Sequence, residues 1–264
     1  MDTGTERMLA RKDSAIGWMT FNNPARHNAV SVAMWQAVPR ILDAFAQDDE
    51  VRVIVLSGAG GKAFISGADI SEFGERRGSR EAILEYNRIA DDAHRVLVEC
   101  KKPTLAMIQG YCIGGGLAVA LCCDLRIASE NSRFGVPAAR LGLGYGFPGI
   151  KRLADLVGPS FAKEIFFTAR QFDTEEALQM GLVNRVRPAA QLERYVREYA
   201  ETIAGNAPLT VAAVKLSAAE YAKDPEERDL DACQAAVDAC FASEDYVEGR
   251  TAFMEKRKPA FRGR

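Results

Sequence analysis

Apolar residues follow two rhythms along this chain. SAIGWMTF (14–21) and VRVIVLSG (51–58) are short apolar runs, the first ending at the turn-formers Asn22-Asn23-Pro24 and the second at Gly58, which is how buried strands look. TLAMIQG (104–110) and, more weakly, LRIASE (125–130) repeat the form. Between them Met34, Val38, Ile41, Leu42 and Phe45 recur at helical spacing after Ser31, a plausible N-cap, and a second helix is expected near 80–100. Strand, loop and helix return about three times, so the pattern predicts an α/β architecture of stacked ββα turns. After about residue 190 the rhythm is helical alone. The chain thus divides into a core, 1–195, and a helical region, 196–264, expected to pack on its own core and on a neighbouring subunit.

Composition narrows the function classes. The 264 residues carry 34 Lys plus Arg against 36 Asp plus Glu, a balance that disfavours a nucleic-acid surface. Six cysteines sit without a CxxC pair or a suitably spaced His, so no metal site is expected, and they read as buried thiols of a cytoplasmic protein. The first twenty residues contain acids and no apolar core, and no apolar run approaches 18 residues, so neither an export signal nor a membrane span is expected.

The segment YCIGGGLAVALCCD (111–124) is chemically bare, with no acid or base before Asp124 and three buried-looking thiols. Three glycines leading into an apolar helix allow close backbone approach, and the N–H groups of a helix start attract an anion or a polarised carbonyl oxygen. Close helix packing would explain the glycines equally well. A second small-residue turn, Phe64-Ile65-Ser66-Gly67-Ala68-Asp69, with Asp69 placed as an N-cap, makes a pair of loops able to aim two amides at one oxygen.

With those loops stand Asn23-Pro24, Asn28-Ala29, Gly110-Tyr111, Cys123-Asp124, Phe134-Gly135, Leu141-Gly142, ALQMGLVN (177–184) and Phe253 to Lys258. Together, in order along nearly the whole chain, they resemble the crotonase (enoyl-CoA hydratase/isomerase) superfamily. The resemblance implies a crotonase-like spiral of ββα units with a C-terminal helical trimerisation region, a homotrimer or a dimer of trimers, and an acyl-CoA thioester as substrate. Coenzyme A is then part of the substrate and no separate cofactor is expected. Carried over by position, the amides of Ala68 and Gly115 form an oxyanion hole for a thioester enolate. Arg26, Ala29, Ser66, Ala68, Asp69 and Ile70 lie on the coenzyme A side, and Phe253 and Lys256 reach the adenine end from the same or an adjacent subunit.

The chain departs from the hydratases of that superfamily where they carry two glutamates, since the matching positions are Ala118 and Ala138, and no methyl group moves a proton. No Asp or Glu occurs from Pro103 to Cys123 or from Asn131 to Ala154, so a small register shift restores none. A position used as a nucleophile by aryl-CoA dehalogenases falls on Gly146. A reaction whose electrons come from the substrate suits such a site, and decarboxylation of a malonyl-type thioester is one. The stretch 141–150 resembles methylmalonyl-CoA decarboxylases, implying that Tyr145 lies near the substrate carboxylate, although those enzymes can carry a histidine where Ala68 stands. A hydratase or isomerase recruiting Tyr145, Glu72 or water, and a silent acyl-CoA binder, remain the alternatives. Arg140 reads as a structural ion-pair partner, His94 as a surface residue and Cys112 as packing, with no catalytic role for His27.

Overall fold

The computed structural model describes residues 1–69 and 80–264. A six-stranded sheet runs in the order β1 (Met8–Asp13), β2 (Ile16–Phe21), β3 (Val53–Gly58), β5 (Thr104–Ile108), β7 (Leu125–Ser129), β9 (Arg185–Arg187), with β1 antiparallel and every later pair parallel. Beside it a three-stranded parallel sheet joins β4 (Ala63–Ile65), β6 (Tyr111–Ile113) and β8 (Arg133–Gly135). Each turn of the spiral gives one strand to each sheet, so the expected ββα repeat is present. The four apolar runs became β2, β3, β5 and β7; the short strands of the small sheet carried too few residues to show a period.

Strand alternation sorts the core. Ile54 and Leu56 face the space between the sheets with Met19, Phe21, Ala106, Phe64 and Phe134, while Val53 and Val55 join Ile16, Trp18, Leu105 and Ile127 on the other face. The first face is closed by α1 (Val32–Gln47), α2 (Arg80–Val98) and α3 (Gly115–Cys122). Ser31 caps α1 as expected, its Oγ accepting from Met34 N at 3.4 Å. Beyond β8 come α4 (Phe147–Thr168), broken by the non-helical Gly158, and α5 (Thr174–Gln179), which a capping box of Asp173 and Glu176 opens.

The second face is covered by α6 (Ala189–Ala204) through Leu192, Val196, Ala200 and Ala204. This helix crosses the 195/196 division and packs on the sheet along its length. Helices α7 (Pro208–Tyr221), α8 (Leu230–Ala242) and α9 (Glu244–Met254) follow. Of the six cysteines, Cys100, Cys112, Cys122 and Cys123 are buried, but Cys233 and Cys240, on the less covered α8, are only half-buried. No described helix is long and apolar enough to cross a membrane.

Candidate active site

Three loops leave the same end of the small sheet because β4, β6 and β8 are parallel neighbours. They carry Ala68, Gly115 and Ala138, so residues 70 positions apart in sequence come together through strand pairing alone. Behind them Asn28, fully buried, accepts from Asn23 N at 2.8 Å and donates Nδ2 to the Ala59 and Ala63 carbonyls at 2.9 and 2.8 Å. That side chain locks the 23–30 segment against β4.

Val30 then bridges the first loop in parallel fashion, donating to Gly67 O at 2.8 Å and accepting from Asp69 N at 2.9 Å. A parallel bridge uses the peptide groups on either side of its central residue, which turns the N–H of Ala68 the other way. Gly67, at φ +122°, makes the turn without a steric penalty. The amide of Ala68 consequently faces Gly115: its nitrogen lies 3.8 Å from where a Gly115 Cβ would stand, and Trp35 Cζ2 lies 3.7 Å from the same point. Gly115 opens α3, so its N–H has no intrahelical acceptor. Among the described residues neither amide donates a backbone hydrogen bond.

The adjacent glycines of the run differ in their surroundings. A Cβ on Gly116 would overlap the Ile65 carbonyl oxygen, so this glycine serves close packing of α3 on β4, while a Cβ on Gly115 meets only ordinary contacts. Gly114 sets the direction, donating to Gly135 O at 2.8 Å with φ +55°. Ala118 lies one turn into α3 and is half-buried; Ala138 is 7% exposed. Asp124, the acid that ends the run, lies at the opposite end of the large sheet, where one carboxylate oxygen accepts from Thr104 N, Thr104 Oγ1 and Lys215 Nζ at 2.7, 3.0 and 2.7 Å.

On the loop expected to face coenzyme A, an acid and a base meet. Asp69 is buried, and Arg26 Nη1 donates to its Oδ1 at 2.9 Å, with Arg7 at 4.0 Å. Arg26 and Asp69 therefore form an ion pair with each other. The helix that Asp69 was expected to cap, together with Ile70 and Glu72, lies outside the described residues. Ser66 donates Oγ to the Arg26 carbonyl at 3.3 Å and Ala29 is buried beside Asn28. Phe253, at 83% exposure, lies on α9, and Lys256 follows the end of that helix.

Tyr145 packs inward, its ring edge-on to Phe166 at 4.8 Å between centroids. Burial, with Cys122 nearby, pushes its hydroxyl up to about 12, so it stays protonated at neutral pH. Arg140 is exposed and forms no ion pair among the described residues, against expectation, because the short helical turn Pro137–Leu141 carries it outward. His94 is not a surface residue either. Its ring meets Trp35 edge-on at 5.1 Å, Nε2 is sealed from solvent, and burial drives its pKa down to about 4. Trp35, whose Nε1 donates to Tyr86 Oη at 3.0 Å, walls the amide pair; the helical spacing of α1 did not point to it. Burial raises the Cys112 thiol far above its ordinary range, which suits packing and not chemistry. No cluster of metal-ligating side chains occurs among the described residues.

Residues 11–264 match the family described as enoyl-CoA hydratase/isomerase. The short-chain-enoyl-CoA hydratase of Clostridium acetobutylicum is 36% identical over 255 residues, covering 95% of this chain and 95% of its own. A peroxisomal Delta(3,5)-Delta(2,4)-dienoyl-CoA isomerase of Arabidopsis thaliana is 34% identical, covering 94% of this chain and 93% of its own. Among solved structures, a putative enoyl-CoA hydratase/isomerase family protein of Hyphomonas neptunium superposes with a TM-score of 0.93 at 32% identity over 100% of both chains.

Proposed function

The chain belongs to the enoyl-CoA hydratase/isomerase family, and within it we propose that the amides of Ala68 and Gly115 bind the carbonyl oxygen of an acyl-CoA thioester and hold the enolate formed from it. One observation carries this reading: two N–H groups without described backbone acceptors converge at the mouths of neighbouring parallel strands. Donors fixed in this way need no reorganisation as negative charge develops on the oxygen, and removing one such donor typically costs about 10² to 10³ in turnover.

The reaction we favour is decarboxylation of a short malonyl-type thioester. The bond from Cα to the carboxylate carbon breaks, its electron pair enters the Cα–carbonyl bond as the oxygen becomes an oxyanion, CO2 leaves, and Cα takes a proton from solvent. No general base enters that step. Residues 103–123 and 131–154 contain no Asp or Glu, and Asp69, beside Ala68, is paired with Arg26. Tyr145 serves as an uncharged donor to the departing carboxylate, which it orients without neutralising. Hydration or isomerisation, the reactions for which the two relatives are named, is the second reading. It requires a proton-transfer group from elsewhere. The exposed apolar residues of α7 to α9 favour a self-associated enzyme, a trimer or a dimer of trimers.

The test is to incubate the protein with crotonyl-, malonyl-, methylmalonyl- and ethylmalonyl-CoA together and follow each thioester by mass. Loss of 44 Da (about the mass of CO2) from a malonyl-type member with crotonyl-CoA untouched is expected. Hydration of crotonyl-CoA would replace the decarboxylase reading with the second one, and binding without any mass change would leave an acyl-CoA-binding protein.

A further inference from the structure

A cleft of about 670 Å³ opens at the edge of the large sheet where β3 and β5 begin. Four segments line it: the turn before β3, the Lys101-Lys102-Pro103 turn before β5, the link from α6 to α7, and the last residues of the chain. Hydrogen bonds fix these segments around the opening. Pro103 O accepts from Ile54 N at 2.8 Å, while Arg52 donates Nη1 to Ala204 O at 3.1 Å and Nη2 to Phe261 O at 2.6 Å. Buried Asp245 fastens the tail, accepting from Arg262 N and Gly263 N at 2.6 and 2.8 Å. The loops carrying Ala68 and Gly115 follow the ends of β4 and β6, the strands that come after β3 and β5, so this cleft is a separate place in the fold.

Its charge is one-sided. The whole chain carries 34 Lys plus Arg against 36 Asp plus Glu, yet the cleft presents Arg52, Lys101, Lys102, Arg262 and Arg264 against one acidic side chain, Asp49. Arg52 and Lys102 direct their described hydrogen bonds to backbone carbonyls, Lys102 Nζ to Phe45 O and Asp48 O at 2.6 and 2.7 Å. A carbonyl satisfies a donor and supplies no opposing charge. Lys101 and Arg262 are exposed and form no ion pair among the described residues, and Arg264 meets Glu244 at 3.4 Å. Walls of one sign around a concave site focus their field and raise the local concentration of anions.

We propose that this cleft binds an organic polyphosphate of nucleoside diphosphate size, independently of the site at Ala68 and Gly115. The cations come from two sides, Arg52, Lys101 and Lys102 from the core and Arg262 and Arg264 from the tail, so a ligand with at least two anionic groups bridges them. Ile203, Leu209 and Val211 give the same cleft an apolar wall, which takes the uncharged part of the ligand. Its volume falls within the range of small-molecule sites, about 300 to 1,000 Å³.

Calorimetric titration of the wild type with ADP, adenosine and inorganic pyrophosphate, with and without excess butyryl-CoA, tests it. ADP should bind at least about ten-fold more tightly than adenosine, weaken as salt is raised, and keep its affinity when butyryl-CoA is present. Lys101→Glu combined with Arg262→Glu changes two exposed side chains, so the thermal midpoint should stay put while ADP affinity falls about ten-fold or more. ADP that fails to bind, binds no better than adenosine, or binds the double variant as tightly as the wild type would overturn the assignment. So would ADP displaced by butyryl-CoA, which would place it in the site at Ala68 and Gly115; this arm needs no variant. Pyrophosphate bound as tightly as ADP would overturn the role given to the apolar wall.

Discussion

The small parallel sheet and the C-terminal helices bury their apolar residues in opposite ways. Around β4, β6 and β8 burial is finished within the chain: Phe64, Ile65, Cys112 and Phe134 are all fully buried, and the loops above them are free to expose backbone amides. On α7 to α9, Val214, Tyr221, Leu230, Phe241, Val247, Phe253 and Met254 stay exposed, and Val214, Phe241 and Phe253 line a groove of about 950 Å³. A rigid frame under a site can hold two N–H groups unsatisfied; a half-covered helical layer gains by meeting another surface. The buried frame and the half-covered helical layer can therefore each be disturbed alone.

The largest effect should come from Gly115→Pro. Proline is tolerated at the first position of a helix, and a Cβ at Gly115 meets only ordinary contacts, so the variant should fold while losing one donor. Turnover should fall by about 10² or more with the thermal midpoint little changed, and a folded variant with full activity would break the link between this loop and the chemistry. Next, Phe241→Asp with Phe253→Asp should dissociate the protein in sedimentation velocity without altering the circular dichroism of the core. Unchanged association would show that these side chains are not the contact.

Within the core, Arg126→Met should lower stability by about 3 kcal/mol in urea titration, because the buried guanidinium holds the Leu182 and Cys123 carbonyls at 2.8 Å each and the Ala120 carbonyl at 3.3 Å. Tyr145→Phe should reduce decarboxylation several-fold while leaving thioester affinity within about two-fold, and equal losses in both would make the residue structural.

The smallest effect is a pH response of the C-terminal tail. Arg257 and the Ala260 N–H hold Glu248 down to about 2, below its ordinary value of 4.5. A depressed carboxylate contributes stability that is present above the ordinary value and is lost as pH falls from 4.5 towards 2. Hydrogen exchange at Ala260 N–H, corrected for intrinsic rate, should accelerate across that window in wild type and be pH-independent in Glu248→Gln.

How much of this was readable in advance depended on where the information lay. Strands β2, β3, β5 and β7 and helix α1 announced themselves because alternation and helical spacing repeat over enough residues. Ala68 and Gly115 were legible as loop positions because glycine marks backbone demands directly. The ion pair of Arg26 with Asp69, residues 43 positions apart, was not, since an acid beside a loop looks the same whether it caps a helix or meets a distant arginine. His94 was misread for a related reason: on a helix rich in charge, its burial is set by Trp35 from another helix. The three residues of β4 were too few to be read as a strand, yet their pairing with β6 is what places the two amides together.

The most direct test is the infrared carbonyl stretch of butyryl-CoA labelled with 13C at the thioester carbonyl, an unreactive ligand, bound to the wild type and to Gly115→Pro. Two converging donors predict a stretch at lower frequency in the wild-type complex than in free solution, with most of that shift absent in the variant. A bound thioester whose carbonyl frequency is unchanged in the wild type would contradict the assignment of Ala68 and Gly115 as the oxyanion hole.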